Sequence, residues 1–224
     1  MSIAEDALSM IQDANAIGLG TGRAATEFVK ALGARVRGGL KVRGVPTSEA
    51  TFKLAVELGI PLTTLDQVGE LDITFDGADE VAPNLDLIKG YGGALIREKV
   101  VAASSKRLVI MVGPGKEVPA LGTRGKLPIE VVQFAVPLVG RRLEGLGLEP
   151  VIRLGADGKE PFVSDNGHYI LDCRTGPIAD PSDLEREIDA IPGIVGTGLF
   201  LGMAEIVLIQ DADGSVRVRR RGEA

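Results

Sequence analysis

The sequence predicts an α/β fold: an open, mostly parallel, Rossmann-like sheet with helices on both faces, joined to a small ferredoxin-like α+β domain. Three observations carry this prediction. Short apolar runs alternate with helix-length stretches over the first two-thirds of the chain, the rhythm of βαβ crossovers. Glycines or capping hydroxyls stand at several of the joints between them. Beyond Pro128 the order becomes β-α-β-β-α-β, that of a split βαβ unit.

Residues 14–19 (ANAIGL) read as a buried strand ending in glycine, and 23–33 as a helix closed by Gly33. Residues 41–45 form a second strand, followed by a helix over 47–58 that ends at Gly59 and has Thr47 or Ser48 as its N-cap. A third strand covers 71–75, a helix 94–105, and a nearly all-apolar fourth strand 107–112. The second domain then reads as strand 129–135, helix 137–146, strands 150–154 and 168–173, helix 181–190 and strand 194–200. A last strand near 204–209 returns to the first sheet, giving domains 1–127 with 201–224, and 128–200. The basic tail, 216–223, reads as a solvated edge strand.

Composition narrows the function. One His and one Cys cannot supply the roughly three or four ligands of a His/Cys zinc site, so no metal is expected. The excess of 31 acids over 25 bases, net charge -6, argues against a nucleic-acid surface. The 4% aromatic content argues against base-stacking platforms. The N-terminal stretch is acidic and broken by Gln12 and Asp13, unlike a leader or a membrane span. A soluble, cytoplasmic protein is expected.

Four loops carry chemistry. Gly18-Leu-Gly20-Thr21-Gly22-Arg23-Ala24 leaves a strand and enters a helix, where free N–H groups favour an anion such as phosphate. From Gly20 it also fits the dinucleotide fingerprint, but the second strand ends Val-Pro-Thr-Ser without the acid that holds a ribose. Asp76-Gly77-Ala78-Asp79 follows the third strand. Its two carboxylates either face one cavity, where their pKa values are pushed apart for proton transfer, or simply form an acidic turn. In Lys89-Gly90-Tyr91-Gly92-Gly93 a lysine and three glycines feed the next helix, and Glu98 lies a turn inside it. Its wheel neighbours Ala94, Leu95, Val101 and Ala102 are small or apolar, so Glu98 is expected to be desolvated and to serve as a base. Lys116, in the turn after the fourth strand, completes one expected anion-lined crevice. His168 reads as a turn histidine and Cys173 as a buried small hydrophobe.

The ordered set GLGTG (18–22), VPTSEAT (45–51), DGADE (76–80), KGYGGALIREK (89–99), Lys116, PFVSDNGHYILDC (161–173) and GIVGTGLF (193–200) resembles the ribose-5-phosphate isomerase A family over nearly the whole chain. The resemblance implies interconversion of ribose 5-phosphate and ribulose 5-phosphate through an enediol, with no cofactor, in a homodimer or homotetramer. It implies that Glu98 is the base and that Asp76, Asp79 and Lys89 assist ring opening and stabilise the enediolate oxygen. By the same resemblance Thr21, Gly22, Arg23, Ala24, Asp76, Gly77, Ala78, Asp79, Lys89, Gly90, Tyr91, Gly92 and Lys116 bind the phosphosugar. Three loops depart from the family pattern: Arg23-Ala24 stands where Ser-Thr is usual, Tyr91 interrupts a run of glycines, and the turn before Lys116 is glycine-rich where an Asp-Ala-Ser type sequence is common. A sugar-phosphate sensor without turnover is the alternative of a different class, and the full set Asp76, Asp79, Lys89 and Glu98 favours an enzyme.

Overall fold

A computed structural model describes residues 2–13 and 15–223; Ala14, the first residue of the predicted opening strand, lies outside them. The elements in chain order are α1 (Ile3–Leu8), β1 (Ala16–Leu19), α2 (Arg23–Arg37), β2 (Arg43–Pro46), α3 (Glu49–Glu57), α4 (Leu65–Val68), β3 (Ile73–Asp76), β4 (Glu80–Val81), β5 (Leu87–Ile88), α5 (Leu95–Ala103) and β6 (Leu108–Val112). They continue with β7 (Lys126–Val131), a 3-10 turn (Gln133–Ala135), α6 (Val136–Gly145), β8 (Glu149–Ile152), β9 (Tyr169–Arg174), α7 (Pro181–Asp189), β10 (Ile194–Thr197), β11 (Leu199–Phe200), β12 (Ile206–Gln210) and β13 (Val216–Arg220). Contacts divide the chain into two units. The first is Met1–Ala78, Arg97–Lys116 and Gly202–Ala224; the second is Asp79–Ile96 and Glu117–Leu201.

The first unit holds a six-stranded sheet of order β13-β12-β6-β3-β1-β2, parallel except for the antiparallel edge pair β12–β13. Alternation along the strands sends their side chains to two layers. Ile17, Leu19, Ile73, Phe75, Val109 and Met111 meet α2 and α3 in one cluster, and Ala16, Val45, Leu71 and Val101 form another with α4 and α5. Helices therefore cover both faces, as expected. Phe28 of α2 stacks on Phe75 with ring centroids 4.4 Å apart, and both rings are fully buried. Phe28→Ala is expected to lower the unfolding free energy by about 3–5 kcal/mol, read as a shifted urea midpoint with unchanged slope.

The second unit holds a four-stranded antiparallel sheet of order β10-β7-β9-β8. In strand-sequence terms this is the 4-1-3-2 order of the split βαβ unit, with α6 and α7 as its helices. Leu127, Ile129, Val131, Val139, Leu143, Leu171 and Ile188 fill its core. Cys173 is buried there, and burial pushes its thiol up to about 12, in keeping with an inert apolar side chain. A three-stranded ribbon, β11-β5-β4, belongs to the same unit.

Several boundaries differ from the sequence reading. The first helix does not close at Gly33 but runs to Arg37; Gly33 is there because a Cβ would sit 2.8 Å from Leu58 Cβ on the facing helix. Of the two candidate caps, Ser48 is the one used, accepting a hydrogen bond from Thr51 N at 3.1 Å. The strand expected over 129–135 spans Lys126–Val131 and gives way to the 3-10 turn. The run 194–200 splits at Gly198 into strands of two sheets, since the backbone there lies against the Lys89 carbonyl and Pro128 with no room for a side chain. Helix α1 was not foreseen. Its signal was the S-x-x-E capping box, in which Ser2 Oγ accepts from Glu5 N at 3.3 Å and Glu5 Oε2 accepts from Ser2 N at 2.7 Å. Among the described residues no helix is long and apolar enough to cross a membrane.

Candidate active site

In the first unit, β1 delivers the glycine loop to the start of α2. A Cβ on Gly20 would fall 2.2 Å from Asp76 Oδ1 and 2.6 Å from Asp76 Cα, so only glycine lets the loop pass the end of β3. Gly22 adopts a positive φ of 109° as the N-cap of α2, which leaves the first-turn N–H groups directed outward from the helix start. Arg23 and Gly22 are exposed at that start, and Ala24 is half-buried.

Asp76 ends β3 with only 1% exposure. Its Oδ1 accepts hydrogen bonds from Thr21 N at 3.1 Å and Gly77 N at 2.7 Å, and two amide donors stabilise a carboxylate against burial. The structure thus brings Thr21, Asp76 and Gly77 together. The Thr21 hydroxyl is already engaged: it lies 2.7 Å from Thr47 Oγ1, 2.8 Å from Ser48 Oγ and 3.1 Å from Thr51 Oγ1. Thr47 and Thr51 in turn donate to the carbonyls of Leu19 and Gly20 at 3.0 and 2.9 Å. This hydroxyl cluster shapes the loop from behind. In the sequence Thr47 and Ser48 carry only the signal of a helix cap, and Thr51 carries none.

Glu98 lies on α5 and is 4% exposed, while its neighbour Arg97 reaches away to Glu49 at 2.9 Å. The predicted apolar face is confirmed by burial of Ala94, Leu95, Val101 and Ala102. Lys116 is half-buried in the turn after β6, one residue beyond Gly115, whose φ is +73°.

In the second unit, Asp79 is half-buried, and its Oδ2 accepts from Tyr91 N at 3.0 Å. Glu80 beside it is fully buried but plays a different part, accepting from Gly122 N at 2.6 Å and Arg124 N at 2.8 Å; it staples the loop before β7. Lys89 follows β5, is 2% exposed, and carries its ammonium 5.3 Å from the centroid of the Phe200 ring. Gly90 has φ +103°, and a Cβ there would lie 2.9 Å from Leu95 Cβ. The Tyr91 ring lies against Lys126. Its hydroxyl donates to the Lys126 carbonyl at 3.2 Å, and Lys126 Nζ sits 5.0 Å from its centroid. Burial raises the Tyr91 phenol above its ordinary value, with Asp79, Glu80 and Asp172 adding to the effect. His168, read as a turn residue, does stand in the turn before β9, but its Nδ1 lies 3.1 Å from the fully buried Glu130 Oε1. Sequence reasoning missed Glu130 because a lone acid in an apolar strand carries no motif.

In the first unit, a parallel sheet with a glycine loop at a helix start and a buried carboxylate at the end of a central strand is the layout of an α/β protein that handles a small anionic metabolite. The family model for ribose 5-phosphate isomerase A (phosphoriboisomerase A) matches residues 43–214. The chain is 54% identical over 217 residues to the ribose-5-phosphate isomerase A of Roseiflexus castenholzii, covering 96% of this chain and 92% of that protein. The solved ribose 5-phosphate isomerase A of Methanocaldococcus jannaschii superposes with a TM-score of 0.93 at 41% identity, over 98% of this chain and 96% of that one. A second solved relative, a D-ribose-5-phosphate isomerase in complex with phospho-erythronic acid, gives 0.94 at 38% identity, over 98% and 96%. The chain belongs to the ribose 5-phosphate isomerase A family.

Proposed function

We propose that this chain interconverts D-ribose 5-phosphate and D-ribulose 5-phosphate through an enediol; the names of its relatives make them isomerases of ribose 5-phosphate. What carries the reading is that relatives so named align over nearly the whole chain; the burial of Asp76, Lys89 and Glu98 supports giving them the chemical roles. The relative bound to phospho-erythronic acid, a phosphorylated sugar acid, supports a phosphosugar substrate.

Each group has a role that its chemistry suits. Asp76 and Asp79 open the furanose, one taking the O1 proton and the other protonating the ring oxygen as the C1–O4 bond breaks. Glu98 removes the proton from C2; the electron pair forms C1=C2 and the C1 carbonyl becomes an enediolate oxygen. Lys89 stabilises that oxyanion. The proton on Glu98 then returns to C1 as C2=O2 forms and the O2 hydrogen passes to the enediolate O1, which becomes the C1 hydroxyl, so no net proton or electron is consumed. Gly77, Ala78, Gly90, Tyr91 and Gly92 line the sugar. The phosphate is held at the Thr21–Ala24 loop by the amides of Gly22–Ala24, with Arg23 and Lys116. We further propose a cytoplasmic homodimer or homotetramer, with residues 128–200 as a domain that contributes to assembly.

Incubation with ribose 5-phosphate in the presence of EDTA, followed by ketose assay, tests the reading. Conversion is expected; none, or conversion that stops with the chelator, contradicts it. Arg23→Ser is expected to raise KM roughly three- to tenfold with kcat nearly unchanged, since an exposed guanidinium at the helix start binds phosphate equally in ground and transition states. A collapse of kcat in steady-state assays refutes that role.

A further inference from the structure

We propose that Arg153 is a positioning residue for this reaction, fixing the peptide planes of the Lys89–Gly92 loop. The proposal rests on the reading of that loop as part of the catalytic machinery. Arg153 stands one residue beyond β8, and its side chain is 10% exposed. Its Nη1 donates to the carbonyl of Gly90 at 2.9 Å and to that of Tyr91 at 3.1 Å. The rest of the fork is anchored on Asp172, with Nε donating to Oδ2 at 3.0 Å and Nη2 to Oδ1. Asp172 also accepts from Lys126 Nζ at 2.6 Å, and Arg153 lies 5.9 Å from the Phe162 ring. Phe162 closes the far end of the loop: a Cβ on Gly93 would meet its ring at 2.5 Å.

The Gly90–Tyr91 peptide is thereby held at both ends. Its carbonyl accepts from Arg153 and its N–H donates to Asp79 Oδ2 at 3.0 Å. Flipping this peptide would break a bond to a cation and a bond to an anion together. Gly90, at φ +103°, has the freedom to flip that a side chain would deny it, so the restraint has to come from outside the loop. In a trans peptide the N–H points opposite to the carbonyl. With the Tyr91 carbonyl turned to Arg153, the Gly92 N–H is turned away from it, and Lys89 is held at the other end of the same segment. Lysine could not replace the arginine. A point ammonium lacks the planar fork that reaches a carboxylate and two carbonyls at once.

The test compares wild type with Arg153→Lys by hydrogen exchange of the 89–93 segment and by steady-state kinetics. Exchange at the Tyr91 amide is expected to rise about tenfold or more, with β7 and β9 unchanged. The kcat is expected to fall about tenfold or more while KM stays within about threefold. Unchanged exchange overturns the proposal whatever the activity, and faster exchange with undiminished kcat overturns it as well. Should the lysine variant not fold, Asp172→Asn, which keeps the guanidinium but loosens its anchor, is read by the same two criteria. A wild-type enzyme inactive on ribose 5-phosphate would refute the proposed function instead, and the exchange measurement would still decide whether Arg153 holds the loop.

Discussion

Glu98→Gln is expected to lower kcat on ribose 5-phosphate by about 10²-fold or more, with a far smaller change in KM. The amide preserves the volume and much of the hydrogen bonding of a side chain that is 4% exposed on a face of small and apolar neighbours. The variant should therefore fold, which steady thermal melting would verify. What it cannot do is accept a proton from carbon. Loss of turnover then reports on proton transfer and not on packing. Substrate deuterated at C2 supplies an independent reading: a primary isotope effect on the wild-type rate places C–H cleavage in the slow step. Glu98→Gln with near wild-type kcat would move the base to Asp76 or Asp79.

Lys89→Met is expected to cost about 10²–10³ in kcat, the magnitude found when one preorganised donor to a developing oxyanion is removed. The argument begins with burial. An ammonium 2% exposed, near the face of the Phe200 ring, sits where few waters compete for it, and a charge so placed acts strongly on a negative charge that appears only in the transition state. Methionine keeps the apolar stem, so the β5 turn should survive, while the cation disappears. If Lys89 acted merely on substrate phosphate, KM would rise and kcat would hold. Saturation kinetics separate the two outcomes, and retention of kcat within about threefold would overturn the assignment.

Much of this architecture was legible in the chain because its signals are local. Leu108–Val112 is a continuous apolar run and lies wholly buried between parallel neighbours, as such runs do. The change of rhythm at Pro128 announced the antiparallel unit. Gly33 misled, since a glycine near the end of an amphipathic stretch reads as a stop; here it marks close approach to Leu58, a tertiary cause invisible along the chain. The run 194–200 looked like one strand because nothing in its composition shows that Gly198 passes from one sheet to another.

The candidate site divides in the same way. Sequence by itself determined which chemistry was available: carboxylates, a lysine and glycine loops at strand ends, with a single His and a single Cys. Residue type and spacing are enough for that, since a side chain's acidity or a glycine's freedom is a local property. Only the tertiary structure decided how those groups are held. The Thr21 hydroxyl turned out to be engaged with Thr47, Ser48 and Thr51, and Glu80 proved to be a staple for residues 122–124. Arg153, 63 positions from Gly90, came to grip its carbonyl. Hydrogen-bond partners so distant in sequence are chosen by the packing of strands and turns, and no periodicity along the chain encodes them.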